Sequence, residues 1–158
     1  MSNKKSLLPL NIGWKEWVCL PDLSVPAIKA KIDTGARTSA LHVFNMCVFK
    51  KNKKDMVEFH TCPLQKNKDY KVNCIIPVLD KRIVKDSSGN KEERYVIETD
   101  IELNDHRWPI EITLTNRDSM NYRMLLGRTA FREKNIIIHP SKSHLTGRSL
   151  IKSLGRKK

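Results

Sequence analysis

Ile28-Lys29-Ala30-Lys31-Ile32-Asp33-Thr34-Gly35-Ala36-Arg37-Thr38-Ser39-Ala40-Leu41 is the stretch whose reading sets the fold. Its first five residues alternate apolar and basic, the period of a strand with one buried face. Asp33 ends that run, and a small hydroxyl residue and a glycine follow. A strand fixes the position of the carboxylate. The Thr34 hydroxyl can hydrogen-bond across a site and hold it rigid, and Gly35 permits a turn and a close backbone approach that a side chain would block. Asp-Thr-Gly also recurs by chance in ordinary turns, so its meaning depends on what the rest of the chain supplies.

The support lies far along the chain. Met124-Leu125-Leu126-Gly127-Arg128 is an apolar run closed by Gly-Arg. Thr129 to Lys134 reads as a short helix, and Asn135-Ile136-Ile137-Ile138-His139 as a strand. Paired with Asp33-Thr34-Gly35-Ala36, this segment resembles the retropepsin-like aspartic peptidases. A closer resemblance is to a group of small bacterial proteins labelled ATP-dependent zinc proteases. It rests on Lys31 to His42, Ser88 to Tyr95, Thr113 to Asp118 and Met124 to Ala130, and runs from about Gly13 to Arg148. The general retropepsin likeness covers the two core motifs alone.

The remaining pattern is mostly β. Trp14 to Leu20 alternates in part, and Pro21-Asp22 turns the chain into a strand from Val25 to Ile32. Leu41 to Phe49, Val57 to His60 and Val72 to Pro77 are further strands. Val78 to Lys85 and Glu93 to Thr99 flank Asp86-Ser87-Ser88-Gly89-Asn90, and Ile101 to Leu103 and Arg107 to Leu114 flank Asn104-Asp105-His106, two hairpin signals. The expectation is a mainly β, single closed, barrel-like acid-protease domain over residues 13–148 with one short helix. A flexible N-terminal segment, 1–12, precedes it and a basic tail, 149–158, follows. No internal repeat is visible, so the chain does not hold both lobes of a two-lobed pepsin.

Composition bounds the partners. The chain has 158 residues, 39% apolar, and a formal charge of +13. One domain with an ordinary core is the default at this length. The charge implies affinity for something negative: an acidic polypeptide, nucleic acid or an anionic surface. No apolar stretch approaches the roughly 20 residues that span a bilayer, and the start is too short in apolar residues for a signal peptide. The protein is therefore read as cytoplasmic, with no membrane partner. The basic runs Lys50-Lys51-Asn52-Lys53-Lys54 and Arg156-Lys157-Lys158 read as a solvated loop and a tail, not interleaved with aromatics, so nucleic acid is the less favoured partner. Cys19, Cys47, Cys62 and Cys74 read as reduced apolar filler.

The resemblance implies a chemistry for these residues. One Asp-Thr-Gly per chain calls for a homodimer in which two Asp33 carboxyl groups hold a water, one ionised and one protonated, because two like charges a few ångströms apart cannot both ionise cheaply. Thr34 and Gly35 would support them, so the catalytic set is Asp33, Thr34 and Gly35. Substrate would be bound by Ala36, Arg37, Ser88, Gly89 and Arg128, with the hairpin at Ser88-Gly89 as a flap. Viral retropepsins carry an acid where this chain has Arg37. Arg37 and Arg128 would then repel, and Glu92, Glu93 or Asp118 could serve as partners, or the substrate itself. The small bacterial group is associated with ATP-grasp ligases that add glutamate, which makes a peptide or protein rich in acidic residues the expected substrate. No cofactor is expected. Zinc and ATP come from the label alone: His60, Cys62 and Cys74 lack finger spacing, and no phosphate-cradling loop is present. The alternative is a non-catalytic module of the same fold that binds an acidic protein or nucleic acid.

Overall fold

The structure is a computed structural model that describes residues 9–64, 70–85, 88–104, 106–116, 122–132 and 134–146. Within them run β1 (Leu10–Gly13), β2 (Lys15–Leu20), β3 (Val25–Ile32), β4 (Ser39–His42), β5 (Phe44–Lys51) and β6 (Lys54–Thr61). They continue with β7 (Val72–Pro77), β8 (Asp80–Lys85), β9 (Lys91–Leu103), β10 (His106–Thr115), β11 (Met124–Leu126) and β12 (Ile136–His139). No helix among these residues is long and apolar enough to cross a membrane.

Six strands close a barrel in the order β10-β4-β11-β3-β2-β9, with β9 returning to pair with β10. Closure removes the open edges that a flat sheet would present. Its interior is filled by residues with the strand period. Ile28, Ala30 and Ile32 of β3 point inward, and Lys29 and Lys31 point outward. Ile110, Ile112 and Leu114 of β10 and Leu126 of β11 join them in one buried cluster. β8 extends the sheet beyond β9 and ends it. A separate three-stranded sheet, β5-β6-β7, adds Val57, Phe59, Val72 and Cys74 to the same core.

One buried acid joins the end of β1 to residues 145–146. Glu16, fully buried, accepts hydrogen bonds from the amides of Gly13 (2.7 Å), Leu145 (2.8 Å) and Thr146 (3.1 Å) and from the Thr146 hydroxyl (2.8 Å). A buried carboxylate is tolerable only with such a full set of donors.

Some expectations change. Residues 10–12, read as part of a flexible segment, belong to β1, which pairs in parallel with β12. Residues 1–8 and the basic tail lie outside the described residues. The strand read from Leu41 to Phe49 divides at Val43 into β4, in the barrel, and β5, in the small sheet. The segments Glu93 to Thr99 and Ile101 to Leu103 are one strand, because Asp100 stays in register with Pro109 of β10. The short helix is a single 3-10 turn, Arg128–Ala130. Its first amides are already used: Arg128 N–H donates to Ala36 O (2.9 Å) and Thr129 N–H to Arg37 O (3.0 Å), holding this turn against the Asp33 loop.

Candidate active site

Three strands converge on the Asp-Thr-Gly turn. β3 delivers Asp33, and β11 runs parallel beside it, with Leu126 opposite Ile32. β4 lies on the far side of β11. The Asp33 amide donates to Leu126 O (2.8 Å), and the Ala36 amide closes the turn on Asp33 O (3.1 Å). The Gly35 amide donates to Asp33 Oδ1 (3.1 Å), so the carboxylate is oriented by its own loop. Asp33 is half-buried, and Thr34 and Gly35 are exposed.

Gly127 is where the two motifs cross. Its amide donates to Ser39 Oγ (3.1 Å). A Cβ there would sit 2.6 Å from the Thr38 carbonyl carbon and 2.9 Å from Ala36 O, so the crossing admits no side chain. The expected neighbourhood of Asp33 and Gly127 is thus present, and Ser39 is a supporting residue that the motif reading passed over.

Among the described residues, Arg128 meets no acid. Its Nη1 donates to the carbonyls of Thr34 (3.4 Å) and Gly35 (3.3 Å), over the turn. The acids named as partners lie elsewhere: Glu92 bonds Arg94 (2.7 Å), Glu93 pairs with Lys81 (3.8 Å), and Asp118 lies outside the described residues. Arg37 is exposed at the turn.

Beside the turn lies an open cleft of about 480 Å³. Gly35, Ala36, Arg37, Thr38 and Arg128 form its floor, and Arg82 to Lys85 of β8 form its roof. Ser88 and Gly89, expected to touch substrate, sit exposed at the tip of the β8–β9 hairpin, beyond the residues that line the cleft. The hairpin stem covers the site instead. Arg82, Lys85 and Arg94 are lining residues that sequence reading missed. Their positions follow from sheet order, which no local pattern carries.

The roof is held by ion pairs. Arg82 bonds Glu111 of β10 (2.7 Å) and Asp80 (2.9 Å). The bond to Glu111, then that to Asp80, raises the Arg82 guanidinium above its ordinary range; the bond from Arg82, with that from the Lys81 amide, lowers the Asp80 carboxyl. Arg94, 8% exposed, is held by Glu92 and by Thr113 Oγ1 (3.4 Å).

The residues considered for zinc do not suit it. The Cys74 thiol is pushed up to about 11 by burial and donates to Leu23 O (3.4 Å), and the His60 ring faces Asn45 (3.2 Å) and Phe44. A metal needs the thiolate, which burial disfavours. Among the described residues no three His, Cys, Asp or Glu side chains group around one point. His42 is buried at the end of β4, away from the cleft lining.

A closed barrel with Asp-Thr-Gly locked beside an apolar-Gly-Arg strand defines the acid-protease class. A family model described as "RimB-like: Retropepsin-like aspartic endopeptidase RimB" matches residues 11–149. The chain belongs to this RimB-like family. The zinc-protease label of the resembling group has no counterpart in that description. Two relatives are named "Probable alpha-L-glutamate ligase": one from Desulfotalea psychrophila, 46% identical over 92% of this chain and 31% of its own length, and one from Shewanella halifaxensis, 47% identical over 86% and 30%. The chain thus spans about a third of the length of those curated relatives. A crystal structure of a Legionella pneumophila protein of unknown function superposes with a TM-score of 0.72 at 28% identity, over 86% of this chain and 97% of that one.

Proposed function

We propose that the protein is an aspartic peptidase that hydrolyses peptide bonds in acidic, glutamate-rich chains as a homodimer. The observation that carries this reading is the Asp33 turn, fixed by backbone hydrogen bonds to β11 and opening on a cleft lined by cations. One chain supplies one Asp33, so a second copy supplies the other. Between the two carboxyl groups a water is held. The ionised Asp33 takes a proton from this water as its oxygen attacks the scissile carbonyl. The protonated Asp33 hydrogen-bonds the carbonyl oxygen as charge develops there. When the tetrahedral intermediate collapses, the C–N bond breaks and the departing nitrogen takes up a proton from the pair. The turn's rigidity matters because positioning acts only when the reacting groups are held close to their productive geometry.

The acidic substrate class draws on the +13 charge, on Arg37 at the turn and on the glutamate ligase names of the relatives. A polypeptide carrying several glutamates is what such a field attracts.

The test is cleavage of a glutamate-rich peptide by the wild type and by Asp33→Asn. The variant keeps the shape and loses the proton chemistry, so the rate falls by at least about a hundredfold. A transition-state mimic of aspartic peptidases inhibits the wild type, and a chelator leaves it active. Full activity in Asp33→Asn overturns the reading, and activity lost to chelation and restored by zinc replaces it with a metal mechanism.

The second reading is a binding module without catalysis. The partial coverage of the ligase-named relatives favours it, since this fold there accompanies a much longer chain. Under it, acidic peptide binds and is never cleaved.

A further inference from the structure

Another cavity, of about 390 Å³, opens on the far side of the Arg128–Ala130 turn. It shares no lining residue with the cleft: Arg128 borders the cleft, whereas Thr129 and Ala130 border this cavity. Its floor is apolar and fixed. Trp108, Ile110 and Ala130 are buried, and the Trp108 indole Nε1–H donates to Ala130 O (2.9 Å), which ties β10 to the turn. A preformed apolar floor with a few polar groups around it is the ordinary form of a small-ligand site.

The rim carries both signs of charge. The sheet supplies Glu98 of β9 and Glu111 of β10, which stand directly opposite each other across the strand pair. Like charges so placed repel. Glu111 is relieved by Arg82 (2.7 Å), but Glu98 forms no ion pair with a described residue. With 30 Lys and Arg against 17 Asp and Glu, a cation is the easier partner to find in this chain, so a carboxylate without one stands out. The segment after the turn supplies Arg132 and Lys134, both exposed. The Lys134 ammonium lies over the Trp108 ring, 5.7 Å from its centroid, and neither residue forms an ion pair with a described residue. Opposite charges on one rim attract, yet these do not meet, because the anchored floor keeps the two elements apart.

We propose that this cavity binds a small zwitterion, a ligand with an ammonium and a carboxylate on a short apolar frame. The ammonium takes Glu98, with the charge of Glu111 beside it. The carboxylate takes the Arg132 fork and the Lys134 point charge. The apolar part rests on Trp108, Pro109 and Ile110. A simple anion or a simple cation satisfies one element and leaves the other uncompensated. Two acids face two cations here, whereas every titratable side chain that lines the cleft is a cation, so this cavity selects a dipole and not a net charge. A free amino acid and a short peptide with both ends unblocked share that chemistry. The site stands whether or not Asp33 cleaves peptides.

The experiment uses the full, isotope-labelled chain carrying Asp33→Asn, so that no peptide is turned over. Leucine and the tripeptide Ala-Leu-Ala are each titrated at physiological salt with both ends free, N-acetylated and C-amidated. At least one free form should shift the Trp108 indole signal and leave the Gly35 amide of the cleft unmoved, and the tighter of the two names the source. Blocking either end should weaken binding about tenfold. Adding Glu98→Gln or Arg132→Gln, both at exposed positions, should weaken the free form about tenfold. Adding Lys51→Gln, which removes a charge from β5 away from the cavity, should change it less than about twofold. No shift at the Trp108 indole with either ligand overturns the proposal, and so does a shift centred on Gly35. Equal binding of free and blocked forms also overturns it, as does a loss in Lys51→Gln equal to those in the two cavity variants.

Discussion

The Asp33 turn and strand β8 face each other across one cleft, yet different forces hold them. The floor is fixed by short backbone bonds, Asp33 N–H to Leu126 O (2.8 Å) and Arg128 N–H to Ala36 O (2.9 Å), at a crossing that excludes even a methyl group. The roof ends the sheet and is tied to β10 by Arg82 and Glu111, whose side chains are 37% and 39% exposed. Buried backbone bonds are costly to break and insensitive to salt, while half-exposed ion pairs contribute about 1 kcal/mol or less. Under the proposed peptidase function the difference would match two tasks, since an acid–base pair needs a fixed geometry and a cover over substrate needs to move.

The floor should be the fragile side of the comparison. Gly127→Ala forces backbone against backbone at Thr38 and Ala36, and should cost about 3 kcal/mol in urea unfolding. A loss below about 0.5 kcal/mol would mean that the crossing is looser than its geometry. Next comes the frame behind it. Glu16→Gln turns one accepting oxygen into a donor, facing amides that already donate, and should cost about 2 kcal/mol. An unchanged midpoint would break the claim that this acid holds Gly13 to residues 145–146.

The roof should respond far less. Arg82→Gln should cost under about 1 kcal/mol globally, yet speed hydrogen exchange in β8 with the Asp33 amide unaffected. Equal acceleration on both sides would erase the distinction. The smallest effect is set by pH. Because Arg82 lowers the Asp80 carboxyl in the fold, its contribution is full above the ordinary carboxylate value of 3.8 and lost as pH falls through the lowered one. Exchange in β8 followed from about pH 5 to about pH 2 should show protection falling there before the barrel core opens.

The floor was also the legible side. β3 (Val25–Ile32) and β7 (Val72–Pro77) match their apolar patterns end to end, and the meeting of Asp33 with Gly127 follows from two motifs with a shared geometry. The roof was legible as a hairpin but not as a lining. Arg82, Lys85 and Arg94 lie on strands whose approach to the Asp33 turn depends on β9 pairing with β2, β8 and β10, a long-range fact with no local signature. β1 was lost for the same reason: four residues become a strand only through parallel pairing with β12. The expected helix is one 3-10 turn, Arg128–Ala130, and its first two amides, which no helix of its own could satisfy, are capped by Ala36 O and Arg37 O.

The account rests on two Asp33 side chains from two copies acting as one acid–base unit. Subunit mixing tests that most directly. Wild type held at a fixed low concentration is given a glutamate-rich peptide and a growing excess of Asp33→Asn. The account predicts that the cleavage rate falls as mixed dimers replace wild-type ones, approaching the rate of Asp33→Asn alone, and that the rate without the variant rises faster than linearly with wild-type concentration. A rate strictly proportional to wild-type concentration and indifferent to the added variant would contradict it, because each chain would then carry a complete site of its own.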